Sequence, residues 1–433
     1  MTTEALAPPA ALSPWRSHGL LFLLAMMYAD NFVGRQIVAV MIEPIKQEFG
    51  ASDTSMGLIS GLAFAAVFAV LGLPAGRLAD RLPRIGVVAA SCMLWGVATI
   101  LCGFTGSFLL LVLARMAVAV TEAPAAPAAL SLIADLYPPQ RRAFAISFFT
   151  AAPTFAAIIA LSLGAWMVDV WGWRTTFIVV GSPALLIGML VLALGREPGR
   201  GRWDAAAEHA RPLDLRSPLK ALWAEKAVRY LILAGATATL GGTAFGMWNA
   251  TFLVRSYGLA LQHAGLLTGL VGGVSAGLGV MFAGWLSDRT GSRGAHWRLG
   301  VPILGHAVGL LSLATYLFWP ADIWMEIAGV PVPEAMLWCG LHGFFAVWWL
   351  GPSFALLTTL TSPHIRARAI ALQTLLSTLF GVGFGPLLIG TLSDLLHPLL
   401  GSEALRHALL VGCATSLSAM ILLYRTGRHL PRT

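Results

Sequence analysis

Arg115 and Glu122 interrupt the run from Phe108 to Glu122, which is otherwise too apolar to leave a membrane. Asp30 and Arg35 interrupt an earlier apolar stretch in the same way. An ionised group inside a bilayer is expensive and marks a functional site by default. Arginine keeps its proton at any working pH, whereas a carboxyl gains or loses one with its surroundings. Glu122 and Asp30 are therefore the expected proton-coupling groups. Arg35 and Arg115, with Asn31 beside them, are the expected substrate-binding groups. Arg115 and Glu122 are seven residues apart, on one helix face but ~10 Å distant. Each is expected to meet a partner on another helix rather than the other. With both acids protonated the cluster carries two positive charges, which favours an anionic headgroup. The competing interpretation is a salt-bridge network that only locks two helices together. Buried ion pairs are weak contributors to stability, which argues for function.

The elements that must hold these groups are membrane helices. The chain has 433 residues, 57% hydrophobic and 11% charged, against about 25% charged in a soluble domain. Apolar runs predict twelve spans at roughly 18–42, 55–79, 85–104, 107–136, 142–168, 174–195, 228–254, 263–287, 298–319, 335–360, 366–393 and 404–425. The fold class is thus all-α and polytopic. The net charge of +8 suggests nucleic acid, but its distribution does not. Arg35 and Arg115 fall within spans, and Lys46, Arg174, Arg255 and Arg406 fall outside the membrane. The remaining Lys and Arg lie on the side of the termini, the positive-inside bias that makes both termini cytoplasmic. Cys92, Cys102, Cys339 and Cys413 sit in or at the ends of spans without metal-ligand spacing, as small apolar packing residues. No metal and no cofactor are expected; the coupling ion is a proton. Residues 1–17 are expected to form a disordered cytoplasmic tail.

A charged linker at about 196–227 divides the spans into bundles at 18–195 and 228–425, with a cytoplasmic tail at 426–433. Each half repeats a pattern. Gly76-Arg-Leu-Ala-Asp80-Arg81 follows span two, and Gly284-Trp-Leu-Ser-Asp288-Arg289 follows span eight. Pro139-Gln-Arg-Arg142 precedes span five, and Pro363-His-Ile-Arg366 precedes span eleven. Pro127 matches Pro352, and Asp169 matches Asp394. Two related bundles with a site between them at mid-membrane is transporter architecture. In the same register Arg115 and Glu122 match Gly340 and Val347, so one half carries the chemistry. Glycines spaced by four recur in span two (Gly57, Gly61, Gly72, Gly76), span eight (Gly265, Gly269, Gly273, Gly277) and span eleven (Gly381, Gly385). They let helices approach closely, either as static packing or as surfaces where the halves rock.

Gly76-x-x-x-Asp80-Arg81-x-x-Arg84 and Gly284-x-x-x-Asp288-Arg289 resemble the two copies of the loop motif of the major facilitator superfamily. Pro83 stands where glycine is usual. The resemblance implies that Asp80 and Asp288 latch the halves at the cytoplasmic side in the outward-open state. The expected cytoplasmic gate comprises Gly76, Asp80, Arg81, Arg84, Asp288, Arg289, Arg142 and Arg366. A narrower resemblance is to bacterial members of the spinster-like branch. It rests on Gly34-Arg35-Gln36-Ile37 through Glu43-Pro44-Ile45-Lys46, on Glu122-Ala-Pro, on Leu132-Ile-Ala-Asp135-Leu, and on Gly383-Phe-Gly385-Pro386 with Ser393-Asp394. The branch implies a lysophospholipid-like or sphingoid-phosphate-like substrate, a bacterial inner membrane and a monomer. It usually has Asp-Arg where this chain has Gly34-Arg35. Asp30, four residues earlier, lies about 40° around the helix from Gly34 and is the expected replacement.

Trp248, Asn249, Trp348 and Gln373 are further expected cavity contacts, although aromatic residues near span ends also form interfacial belts. Phe148 and Phe149 are weaker cavity candidates. His306 and His342 are expected to be hydrogen-bonded packing residues, with proton relay as the alternative. Asp394 is expected to cap or orient an outer loop. The expected function is proton-coupled transport of an amphiphilic organic anion by alternating access. Small water-soluble organic anions are the alternative substrates. A drug exporter is less favoured, because Phe148-Phe-Thr-Ala-Ala-Pro153 lacks the Gly-Pro motif of drug–proton antiporters. No HExxH or GxSxG suggests an enzyme, and no segment is long enough for a soluble output domain.

Overall fold

The computed structural model describes residues 14–200, 223–291, 295–361 and 363–430. Most of the predicted tail (1–13), most of the predicted linker (201–222) and the end of the C-terminal tail (431–433) lie outside these residues. The apolar runs fold as helices because lipid offers backbone N–H and C=O groups no partner outside their own segment. Among the described residues, 9 helices are long and apolar enough to cross a membrane. One of them, Phe144–Leu194, holds predicted spans five and six. Spans one and twelve fall on Pro14–Gln36 and Val411–Arg428, two further helices with lower mean hydropathy. This arrangement is consistent with twelve spans. The first helix begins at Pro14, inside the predicted tail, and the last runs on to Arg428.

Several spans break partway along their length. The first span turns at Ile37, between Pro14–Gln36 and Val38–Phe49. The fourth divides into Phe108–Glu122 and Ala125–Leu136. Pro124 lacks the N–H that would continue the helix, so Glu122 closes the first segment. Span ten breaks at the matching place, between Ala335–Ala346 and Leu350–Leu360. Spans five and six turn at Gly172, whose φ of 74° suits glycine.

The halves meet through glycine. A Cβ on Gly57 would lie 2.5 Å from the Pro386 carbonyl oxygen, and one on Gly61 2.6 Å from that of Gly383. On the other side of the interface, Gly265 packs on Leu161 and Ala165, and Gly269 on Ser162. Three of the four spans involved, the second, eighth and eleventh, carry a short π-helical segment: Leu58–Leu62, Thr268–Gly273 and Ser377–Phe384. Such segments occur often at functional sites. Gly381 and Gly385 instead face Thr239 and Leu240 within their own half. The outer loop after span nine, unassigned from sequence, is a hairpin of Ile323–Ile327 and Val330–Pro333.

Candidate functional site

Spans one and four carry the central charges to one place. Arg35 forms an ion pair with Glu122. Its guanidinium lies 4.7 to 5.1 Å from the ring centroids of Phe32, Phe64 and Phe68, within cation–π range. Arg115 is buried and donates Nη1–H to the Gly34 carbonyl at 3.0 Å. Arg115 and Glu122 thus each meet the first span and not each other, as their spacing requires. Arg35 and Arg115 are close enough to repel. Asn31 lies in the same wall, with its Oδ1 lacking a hydrogen-bond partner among the described residues. The enclosed space between Asn31, Arg35, Trp95 and Glu122 is only about 10 Å³, roughly room for one water. The ion pair therefore fills the place where an anion would meet Arg35.

Asp30 does not join this cluster. Its carboxylate accepts a 3.3 Å hydrogen bond from Trp95 Nε1 and faces a different space. The reason is helical geometry: five residues separate Asp30 from Arg35, about 140° of rotation. The estimate of 40° from Gly34 holds along the backbone, but Gly34 itself is not on the face of Arg35.

The expected cavity contacts of the second half are buried in helix packing. Trp248 is fully buried and donates Nε1–H to the Pro386 carbonyl at 3.0 Å. Asn249 holds Thr268 at 3.3 Å and accepts from the Tyr316 hydroxyl at 2.6 Å. Trp348 packs among Phe282, Phe344 and Phe345. Gln373 donates to Ser377 at 3.0 Å and packs against Gly235. Trp248, Asn249 and Gln373 thus have their polar groups hydrogen-bonded within the bundle, while the buried Trp348 Nε1 has no hydrogen-bond partner among the described residues. Phe149 is likewise buried, stacked on Tyr28, while Phe148 is exposed. His342 shares a hydrogen bond with the Gly309 carbonyl, and both His342 and His306 are buried packing residues.

The two loop motifs divide. Gly76 and Asp80 lie in Ala63–Arg81, and Arg366 in Pro363–Leu376. Arg81, Asp288 and Arg289 are exposed, and Arg142 is half-buried. Arg84 departs from its expected role as a gate between the halves. It is fully buried within the first half, paired with Asp135 and with Glu197 at 2.7 Å. It also donates to the carbonyls of Ser131 at 3.0 Å and Pro198 at 2.9 Å. The start of the linker is tied here to the turn after span two.

A second charged network, at the helix ends away from the linker, carried no signal in the sequence. Asp53, almost fully buried, accepts from Arg255 at 2.7 and 2.9 Å and from Ser393 at 2.7 Å, and pairs with Lys46 at 2.5 Å. Arg255 also pairs with Glu43 at 2.5 Å. Asp394 accepts from the backbone N–H groups of Asp53 at 3.0 Å and Thr54 at 2.7 Å, and from the Thr54 hydroxyl at 2.6 Å. These bonds join the two halves. A carboxylate at a helix N-terminus is favoured by the helix dipole, so Asp394 does orient an outer segment, across the interface. Lys46, Arg255 and Asp394, expected on one side of the membrane, do meet at one end of the bundle; Asp53, their common partner, carried no distinguishing signal.

The family profile described as Major Facilitator Superfamily matches residues 24–386. An MFS-type efflux pump of Mycolicibacterium smegmatis is 31% identical over 432 residues, covering 94% of this chain and 93% of that protein. Protein spinster homolog 1 of Xenopus laevis is 26% identical over 422 residues, covering 92% of this chain and 78% of that protein. A solved structure of a bacterial homologue of the human lysosomal transporter spinster, inward-facing and unoccupied, is similar with a TM-score of 0.85. It covers 97% of this chain and 98% of that one at 24% identity.

Proposed function

Because the chain belongs to the Major Facilitator Superfamily and resembles its spinster-like members, we propose that it carries an amphiphilic organic anion across the membrane together with a proton. The observation that carries this proposal is the Arg35–Glu122 pair in a space too small for a third group. An ionised Glu122 occupies Arg35. Protonation removes the competing charge and frees the guanidinium for a carboxylate or phosphate. Arg115 adds positive charge, and the rings of Phe32, Phe64 and Phe68 suit an apolar portion beside the anionic head. In this scheme 18–195 and 228–425 are the rocking halves, and 196–227 joins them in the cytoplasm. Closure of the outer network at Asp53 and Asp394 supports an inward-facing state with the site reached from the cytoplasm.

The test is a panel of lysophospholipids, sphingoid phosphates, small organic acids and cationic drugs, scored by thermal shift and then by flux in proteoliposomes. One anionic amphiphile class is expected to stabilise the protein, with binding at least tenfold weaker in Arg35→Ala. Glu122→Gln is expected to lose transport driven by a pH gradient while retaining substrate exchange. Full gradient-driven transport by Glu122→Gln removes Glu122 as the coupling group. Stabilisation by small acids alone replaces the amphiphile with a water-soluble anion.

A further inference from the structure

Of Asp30, Arg35, Arg115 and Glu122, the charges within spans one and four, Asp30 is the one this mechanism leaves unused. It stands in the wall of a groove of about 500 Å³ between the first, fifth and sixth spans. That volume lies within the ~300–1,000 Å³ of small-molecule sites. Phe22, Met26, Phe148, Phe155 and Pro183 line it, and Asp30 is the only ionisable residue among the described residues that do. The groove follows the first helix from Phe22 to Ile37, a rise of about 22 Å at 1.5 Å per residue. Asp30 lies near the middle of that length. Its hydrogen-bond donor, the Trp95 indole N–H at 3.3 Å, is neutral. A carboxylate held against apolar walls lacks a counter-charge, and a cation that brings an apolar tail supplies both charge and fit.

We propose that this groove is a second binding site, selective for amphiphilic cations. An ammonium head pairs with Asp30, and an alkyl or aryl tail lies along span five against Phe148 or Phe155. The first helix thus presents opposite charges to opposite spaces: Arg35 to the anion at the centre, Asp30 to a cation at the flank.

Charge complementarity separates this occupant from a bilayer acyl chain, and the test uses that difference. Binding of n-octylammonium and of n-octanol would be measured on the full chain in nanodiscs. The cation is expected to bind the unaltered protein at least tenfold more tightly than the alcohol. Asp30→Asn is expected to bring the two within about threefold, and Arg35→Ala to leave the preference intact. Equal affinities in the unaltered protein, or an undiminished preference in Asp30→Asn, overturn the proposal. Ala152→Phe, which fills the groove without touching a charge, is a second variant should Asp30→Asn fail to fold. It is expected to weaken both ligands at least tenfold, and unchanged octylammonium binding in it places the cation elsewhere.

Discussion

Gly57→Ala should open the outer end of the protein. The added Cβ would meet the Pro386 carbonyl oxygen at 2.5 Å, Leu387 Cα at 2.7 Å and the Pro386 carbonyl carbon at 2.9 Å. All three are backbone atoms of the opposite half, so no rotamer change relieves the overlap. Ordinary contact begins at 3.4 Å, and the helices must part by about 0.9 Å. Overpacking of this kind costs about 1–3 kcal/mol, or roughly 5–150-fold in a two-state balance. Only the outer-closed state bears this cost. The gain in helix propensity from Gly to Ala, about 1 kcal/mol, applies to both states and cancels. Spin labels at positions 51 and 402, in a chain with its four cysteines replaced, report the separation of the halves by pulsed electron paramagnetic resonance. The variant should show a longer distance at the expense of the shorter one. Gly246→Ala is the control, because nothing lies within 4 Å of its Cβ position. An unchanged distribution in Gly57→Ala, or an equal shift in the control, refutes the assignment of Gly57 to the closing surface.

Arg255→Ala removes the bidentate partner of Asp53 but leaves Lys46 and Ser393 in place. It should favour the open outer end by about 1–3 kcal/mol, read as the same lengthening between positions 51 and 402. Arg84→Ala removes the buried ion-pair partner shared by the carboxylates of Asp135 and Glu197. It should lower stability by about 3–5 kcal/mol, seen as a reduced Tm and restored in part by replacing Asp135 with Asn as well. Glu48 lies on the outer surface, where hydrogen bonding from Arg174, reinforced by Trp173, holds its pKa below the usual carboxylate range. Its folded pKa is depressed, so its stabilisation is present above pH about 4.5 and is lost as the pH falls below that. The side chain is 43% exposed, which limits the effect to under about 1 kcal/mol. Glu48→Gln should therefore lower Tm slightly at pH 7 and not at pH 3; an equal loss at both would assign Glu48 a packing role.

The helices were legible because apolar runs of membrane length have few other uses, and the glycine spacing pointed to Gly57, Gly61, Gly265 and Gly269. The central pair was half legible. Charges in apolar spans identified Arg35 and Glu122, but partner choice depends on rotation about each helix. Asp30 lies close to Gly34 around the helix, but Arg35 is about 140° away from it, so nearness to Gly34 does not bring Asp30 to the pair. Trp248, Asn249 and Gln373 make hydrogen bonds inside the bundle, and sequence alone does not distinguish a side chain that packs there from one that lines a cavity. The Asp53 network was hidden because its members come from sequence positions up to 341 residues apart.

The single-sided Arg35–Glu122 pair has an electrical consequence. Two guanidiniums and one ionised carboxylate leave the empty centre with one positive charge. A proton on Glu122 together with a monoanion on Arg35 leaves the loaded centre with the same charge. Each reorientation then moves equal charge through the field, and the membrane voltage, about 2.3 kcal/mol per charge per 100 mV, does no net work on a one-to-one cycle with a proton. A doubly charged substrate under the same stoichiometry would make the cycle voltage-dependent. The valence of the cargo, and not the geometry of the gates, would then set whether the cell powers this protein with its pH gradient or with its membrane potential.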